Sequence, residues 1–206
     1  MNSRHIMTIA LFGSIWGLIE ATAGGLLHLA RVPFTGTIMS SIGFAILFLA
    51  LRSGAKLAHL AIISFVAASF KFLDCWLFGI PVFDITIVNP ATAIACQGLA
   101  ASLIFKGLTD QDRVLSLAPR FAFAAGASII IFNLISLGIY GWPTYQSQHP
   151  INTALIQLPI MTVLATILSK ALLIASKRLH LTMDVGWKAA TAVGCVVFSV
   201  IARTII

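Results

Sequence analysis

Residues 57–80 read LAHLAIISFVAASFKFLDCWLFGI, an apolar run that nevertheless carries Lys71 and Asp74. A transmembrane helix needs roughly 20 predominantly apolar residues, so the length of this run predicts a membrane span. Charged side chains at membrane depth cost roughly 2.5 kcal/mol or more each, and they therefore face a bundle interior, a cavity or one another. The stretch thus predicts one helix of a membrane bundle that has polar groups in its interior.

The composition of the whole chain indicates the same class of protein. Of its 206 residues, 59% are hydrophobic and only 9% are charged, whereas a soluble domain carries about 25% charged residues. The formal net charge of +7 would suit a nucleic-acid-binding protein if the chain were soluble. In a membrane protein, basic residues instead mark the cytoplasmic loops. We therefore expect membrane lipid around the chain and no nucleic acid as a partner.

Apolar windows along the chain predict an all-α, polytopic transmembrane helical bundle with six to seven spans, folded as a single domain over residues 1–206. The windows cover roughly residues 6–30, 36–51, 57–78, 90–107, 120–141, 151–175 and 187–205. The last window is the weakest because Lys188 and Arg203 shorten its apolar centre. Six spans followed by a peripheral helix is the alternative.

The basic residues also predict the orientation of the bundle. Ten Lys and Arg residues fall on the side of the N-terminus, two (Arg31 and Arg203) fall on the opposite side, and Lys71 lies within a span. Because loops rich in Lys and Arg stay in the cytoplasm, the N-terminus is expected there. The first 23 residues are similar to a signal peptide, but Glu20 within the apolar run favours a retained first helix.

Polar side chains within the spans concentrate in the half of the bundle towards the predicted outer side, whereas the inner halves are almost purely apolar or small. Several polar residues from about five helices, all displaced to one side, predict a pocket that opens outwards and is closed beneath by apolar packing. The candidate substrate-binding residues are Glu20, Lys71, Asp74, Asn89, Gln97, Asn133 and Gln157, with Trp76, Trp142 and Tyr145 as stacking or lid residues. For Trp142, a place in the aromatic belt at the membrane interface is the alternative.

Lys71 and Asp74 allow two interpretations. Residues at positions i and i+3 share one face of a helix, so the two side chains can neutralise each other. Glu20 is the other acid that could pair with Lys71. Alternatively, these charged groups bind a ligand directly. The sequence leaves both possibilities open.

Two further patterns concern surfaces and loops. Gly13, Gly17 and Ala21 follow one another at four-residue spacing in the first span, and such a small-residue stripe lets another helix approach closely. The stripe could serve as a docking face for a partner or pack within the protein's own bundle.

The predicted outer loops, GIPVFDITIVNP and GWPTYQSQHPIN, are rich in proline, which would stiffen them above a cavity. Their prolines are Pro81, Pro90, Pro143 and Pro150.

The sequence carries none of the catalytic or nucleotide-binding motifs HExxH, GxxxxGK[ST], GxSxG and GxGxxG. Its three cysteines form no CxxC pair and so indicate no metal site. We therefore expect no catalytic residue, no cofactor and no metal ion. An intramembrane enzyme that uses Glu20 or Asp74 as a general base is the alternative. Because the chain has no nucleotide site of its own, energised transport would require a partner.

Residues 10–107 carry a family resemblance. The segments WGLIEATAGGLLHLARVPFTGTIMSSIGFAILFLALR and IVNPATAIACQGLAASLIF resemble the substrate-binding S components of energy-coupling factor (ECF) transporters. The similarity is to the branch with a W-G-x-x-E first helix and an N-P-x-x-A-I-x-x-[EQ]-G fourth helix. S components usually have six spans, one fewer than the windows counted here.

This resemblance implies a function and partners. An S component binds a vitamin or similar micronutrient from the outside, and it associates with a transmembrane coupling subunit and two cytoplasmic ATPases in a bacterial or archaeal inner membrane. The stripe of Gly13, Gly17 and Ala21 would then be the docking face for the coupling subunit. One base, two acids and several amides suit a small zwitterionic or amide-bearing substrate. A stand-alone carrier, or a non-catalytic subunit of another membrane complex, is the alternative function.

Overall fold

A computed structural model describes residues 3–106, 114–147 and 150–178, together with residues 191, 194 and 195. In this part of the chain every regular element is helical, which confirms the predicted all-α class. The elements are α1 (Ser3–Ile19), a π-helical segment (Glu20–Gly24), α2 (Gly25–Leu29), α3 (Thr35–Arg52), α4 (Leu57–Ser69), a 3₁₀ turn (Phe70–Phe72), α5 (Leu73–Phe78), α6 (Ile85–Ile104), α7 (Val114–Ser147) and α8 (Pro150–Arg178).

Five helical stretches of the described chain are long and apolar enough to cross a membrane, and they are consistent with a multi-pass membrane protein. These stretches are His5–Leu27, Thr35–Arg52, Ile85–Ile104, Leu117–Ile139 and Ala154–Ala175. Leu57–Phe72 is a shorter apolar helix, which ends where the 3₁₀ turn interrupts the predicted third span. The predicted seventh window, 187–205, lies outside the described residues except for three positions.

Helix boundaries differ from the sequence prediction at the proline-rich segments. Helix α6 begins at Ile85, so Pro90 lies inside a helix and not in a loop. Likewise Pro143 lies within α7 and Pro150 is the first residue of α8. The prediction that these three prolines stiffen loops was therefore wrong. Proline is well suited to a first helical position because its missing N–H would have no partner there.

An aromatic core fills the bundle where α3 ends, α6 ends and α7 begins. Phe44, Phe48, Phe105 and Phe121 are each 0–1% exposed. The rings of Phe105 and Phe121 meet edge to face, with centroids 5.4 Å apart and an interplanar angle of 88°, an arrangement that aromatic quadrupoles favour. The core therefore closes the end of the bundle that the sequence predicts to be apolar.

Glycines bring α4 close to two neighbouring helices. A Cβ at Gly13 would lie 2.6 Å from Val66, and one at Gly17 would overlap the ring of Phe70. On another face of α4, a Cβ at Gly98 would overlap Ser64 and lie 2.8 Å from the Leu60 carbonyl oxygen. Two members of the predicted small-residue stripe therefore pack within the protein's own bundle, Gly13 against α4 and Gly17 against the 3₁₀ turn that follows it. Ala21, the third, is also buried.

The close approach at Gly98 predicts that Gly98→Ala destabilises the bundle. Overpacking of this kind costs about 1–3 kcal/mol, because α4 and α6 must separate to admit the methyl group. The matched control is Gly138→Ala in α7, where a Cβ meets nothing within 4 Å. The higher helix propensity of alanine should raise the unfolding free energy of this variant by up to about 1 kcal/mol. Thermal unfolding in detergent compares the two variants. Equal melting temperatures would contradict the close-packing argument.

Candidate ligand-binding site

A pocket of about 530 Å³ opens between the helices at the end where α3 and α6 begin. We call this end of the bundle the pocket end. The wall comes from seven helical elements: the π-helical segment, α2, α3, the 3₁₀ turn, α6, α7 and α8. Its residues are Glu20, Ala21, Gly25, Thr35, Gly36, Met39, Ser40, Lys71, Thr86, Pro90, Ala93, Ile94, Gln97, Ser128, Ile129, Phe132, Gln157 and Met161.

Helix α6 supplies one continuous face of the pocket. Thr86, Pro90, Ala93, Ile94 and Gln97 line it, at spacings of three and four residues that place them on one side of an α-helix. Proline has no backbone N–H, so Pro90 leaves the carbonyl of Thr86 without its usual helical donor.

The charged part of the wall is an ion pair between Lys71 and Glu20. Lys71 Nζ lies 3.4 Å from Glu20 Oε1, and the two side chains are only 12% and 11% exposed. This separation is longer than the 2.7–2.9 Å typical of charge-assisted hydrogen bonds. The pair is thus buried, but it is not closed by a short hydrogen bond. Glu20 is one of the two acids that the sequence offers as a partner for Lys71.

Both charged residues lie where the helices depart from α geometry. Glu20 begins the π-helical segment, and Lys71 is the middle residue of the 3₁₀ turn. A π segment inserts an extra residue into a turn and often marks a functional site. The two irregular segments contact each other, so the change in helical register turns both charges towards one point in the bundle.

Gln97 forms a polar floor together with Ser40 and Trp16. Gln97 is 3% exposed, and its Nε2 donates to Ser40 Oγ at 2.8 Å. Its Oε1 and the Nε1 of Trp16 are buried without a hydrogen-bond partner. Both side chains press on Gly43, where a Cβ would lie 2.6 Å from Gln97 Oε1 and 2.8 Å from Trp16 Cε2. Glycine at position 43 is what admits these two polar groups beneath the pocket.

The mouth of the pocket is shaped by two connections. Arg31 and Phe34, before α3, adopt positive φ angles of 51° and 59°, which strain residues other than glycine. The Thr35 hydroxyl donates to the Val32 carbonyl at 2.7 Å, which secures this connection. Before α6, Asp84 Oδ1 accepts hydrogen bonds from the backbone N–H and the hydroxyl of Thr86, at 2.8 and 2.6 Å. Thr35 and Thr86 are thereby held in the wall.

Apolar side chains complete the wall of the pocket. Met39 and Met161 are 4% and 3% exposed, and Ile129 and Phe132 of α7 lie beside them along the pocket. Thioether side chains adapt their shape to irregular surfaces. The pocket therefore combines one charged side, a neutral polar floor and an apolar side that can accommodate a hydrocarbon or ring.

The predicted site residues fall into three groups. Glu20, Lys71, Gln97 and Gln157 line the pocket. Three others lie elsewhere: Asn89 is half-buried outside the wall, Asn133 donates to the Ile129 carbonyl of its own helix at 2.7 Å, and Trp76 is 77% exposed. The side chains of Asp74, Trp142 and Tyr145 lie outside the described part of the structure.

Sequence reasoning missed most of the neutral wall. Thr35, Ser40, Thr86 and Ser128 line the pocket, but a hydroxyl side chain in an apolar helix is too common to attract attention. Their spacing from a buried polar residue could have identified some of them. Thr86 and Pro90 precede Gln97 by eleven and seven residues, and these spacings place all three on one face of a helix. Met39 and Met161 gave no such signal.

No group of three or more His, Cys, Asp or Glu residues able to hold a metal ion occurs among the described residues. Comparison with models of protein families, with curated proteins and with solved structures found no match for the chain.

The burial of the ion pair predicts unequal effects of removing one charge or both. Lys71→Met leaves the Glu20 carboxylate uncompensated and should cost about 3 kcal/mol of unfolding free energy. The double variant Glu20→Gln/Lys71→Met removes both charges and should recover much of that loss. Chemical unfolding in detergent measures each value, with exposed Lys170→Met as the control for loss of a lysine. A double variant no more stable than Lys71→Met would contradict a coupled pair.

The cap of α6 predicts a pH dependence at the mouth of the pocket. Hydrogen bonds from the Thr86 side chain and backbone lower the pKa of Asp84. A lowered pKa means that the cap stabilises the helix above the unfolded-state pKa of about 4, and that this contribution is lost as the pH falls through the folded-state value. The protection of the Thr86 and Ile87 amides from hydrogen exchange, corrected for the intrinsic exchange rate at each pH, should therefore decrease in acid. Asp84→Asn, which caps without titrating, should abolish this acid-dependent step; a step that persists in this variant would exclude Asp84 as its origin.

Proposed function

We propose that this chain is the membrane-embedded substrate-binding subunit of an ECF-type importer for a vitamin or similar micronutrient. The observation that carries the proposal is the pocket at one end of the bundle, which combines a buried ion pair, a buried amide and an apolar side. Small-molecule sites are typically about 300–1,000 Å³ in volume and largely apolar, with a few placed polar groups. The 530 Å³ pocket fits that description.

The position of the pocket supports binding from one side of the membrane. Its polar groups lie at the pocket end, and the phenylalanine core fills the other. The excess of Lys and Arg on the N-terminal side of the sequence assigns the pocket end to the outside by the positive-inside rule. The chain would then capture its substrate from the external medium.

Uptake against a gradient requires partners in this proposal, because the sequence has no nucleotide-binding motif. A transmembrane coupling subunit and cytoplasmic ATPases would supply the energy. Since α4 and the 3₁₀ turn cover Gly13 and Gly17, the coupling subunit would have to contact a different face from the one that the family resemblance suggests. A stand-alone carrier would instead transport its substrate without ATPases.

Retention of a small molecule tests the proposal. Protein purified gently from its own host membrane should show one bound mass by native mass spectrometry. Gly25→Leu should lose that mass, because Gly25 lines the pocket, has helical φ and ψ angles, and has open space where a Cβ would stand. The new side chain therefore begins in open space beside the cavity.

Gly138→Leu is the matched control, since this glycine is exposed on α7 and also has open space around it. Both variants should unfold at temperatures close to that of the parent protein. An empty parent protein that purifies together with other membrane subunits would contradict a binding role. A bound mass that survives Gly25→Leu would show that the retained molecule is held outside the pocket.

A further inference from the structure

We propose that the inner end of the pocket recognises an uncharged amide-type group of the ligand, such as a carboxamide, a lactam or a urea. Gln97 accepts a hydrogen bond from the N–H of this group, and Ser128 donates one to its carbonyl oxygen. This inference rests on the proposed function, since it specifies how the same pocket reads its ligand. The observation behind it is a buried acceptor, Gln97 Oε1, which has no hydrogen-bond partner among the described residues although Gln97 lines the pocket.

Gln97 and Ser128 lie at the same depth on neighbouring helices. Helix α6 packs against α7, and the rings of Phe105 and Phe121 meet at the closed end with centroids 5.4 Å apart. Gln97 precedes Phe105 by eight residues, and Ser128 follows Phe121 by seven. Because α6 begins at the pocket end and α7 begins at the closed end, these spacings place both polar residues about two helical turns above the ring pair, on the faces that carry the rings.

The Gln97 amide has one acceptor to offer. Gln97 is 3% exposed, and its Nε2 donates to Ser40 Oγ at 2.8 Å, whereas its Oε1 is unpaired in the described structure. Leaving a buried acceptor unpaired is costly, and a ligand donor removes that cost. The last torsion of a glutamine side chain has a broad range, so the amide can turn Oε1 towards the cavity that the side chain already lines.

Ser128 supplies a hydroxyl that is free to donate. It is 5% exposed and lines the pocket, and its hydroxyl makes no hydrogen bond within the described part of the chain. The buried Ser41 hydroxyl, by contrast, donates to the Thr37 carbonyl of its own helix at 2.8 Å, which is a common way to satisfy a serine in a helix. A serine in a pocket wall without that bond can donate to a carbonyl oxygen of the ligand.

The group that reaches the floor is expected to be uncharged. Trp16, which packs on the same Gly43 as Gln97, precedes Glu20 by four residues, so the floor lies about 6 Å deeper in the bundle than the start of the π segment. Ser40, Gln97 and Ser128 carry no charge. An ion at this depth would lose its water without contacting a counter-charge, which is strongly unfavourable. Any charged group of the ligand would lie nearer the mouth.

Two probes of the same shape test this assignment. Benzamide carries an N–H donor and a carbonyl, whereas acetophenone has a methyl group in place of the amino group and keeps the carbonyl. Binding to the full-length protein in lipid nanodiscs is measured by ligand-observed NMR, with empty nanodiscs as the correction for partition into lipid. Benzamide should bind about tenfold more tightly, a ratio that corresponds to about 1.4 kcal/mol, because acetophenone leaves Gln97 Oε1 unpaired.

Two variants separate the two hydrogen bonds. Gln97→Met removes the acceptor at nearly the same side-chain length, so it should weaken the binding of benzamide about tenfold and change that of acetophenone little. Ser128→Ala removes the donor to the carbonyl, so it should weaken both probes by a similar factor of about five. Because the Ser128 hydroxyl bonds no described residue, Ser128→Ala should fold normally and provides a second reading if Gln97→Met unfolds.

Ser136→Ala is the matched control for Ser128→Ala. Ser136 is also 5% exposed and also lies on α7, but it does not line the pocket. This variant should therefore leave the affinity for both probes unchanged.

Equal binding of benzamide and acetophenone by the parent protein would overturn the inference, as would no binding of benzamide at millimolar concentration. A preference for benzamide that survives Gln97→Met would exclude Gln97 as its origin, and affinities unchanged in Ser128→Ala would exclude the second hydrogen bond; either result rejects the assignment. None of these results decides the proposed function, which is judged by the retained molecule and its loss in Gly25→Leu. A retained molecule without an amide-type group would overturn the ligand class and leave the binding role intact.

Discussion

A lysine and a glutamate that are each about nine-tenths buried must neutralise each other before the helices that carry them can pack. Lys71 and Glu20 come from helical segments about fifty residues apart in the sequence, and their contact ties α1 to the third apolar helix at membrane depth. About one and two turns before this contact, the glycines of α1 let α4 and the 3₁₀ turn approach closely. The ion pair and the close packing therefore position the same two helices, and the remaining wall of the pocket is built around them.

The two ends of the bundle are stabilised by different interactions. At the closed end, Phe44, Phe48, Phe105 and Phe121 pack without polar groups, and burial of apolar and aromatic surface holds the helices together. At the pocket end, a π segment, a 3₁₀ turn and Pro90 each interrupt regular α-helical hydrogen bonding. Departures from α geometry there aim polar groups into the interior, which a straight helix with the same sequence would not achieve.

This difference explains which features could be predicted from the sequence. Glu20, Lys71, Gln97 and Gln157 stand out because a polar residue in an apolar run is costly, and the pocket brings all four together. The contact between Lys71 and Glu20 could not be decided, since Glu20 and Asp74 are both plausible partners until the rotation of each helix is known. The π segment has no sequence signature, because EATAG also suits an α-helix. Helix starts at the proline-rich segments were misplaced, because the cap at Asp84 places Pro90 inside α6.

The floor of the pocket bears on how a bound molecule could leave it. Trp16 and Gln97 both pack against Gly43, and Trp16 is fully buried. Beneath them lies the phenylalanine core, so in the described bundle the pocket is followed by densely packed side chains. A path through to the other side would have to separate α1, α3 and α6, and protein interiors of this density repack only at a large cost. A bound molecule could therefore reach the other side only after a rearrangement of whole helices or of the whole bundle; under the proposed function, the coupling partner would have to drive that step.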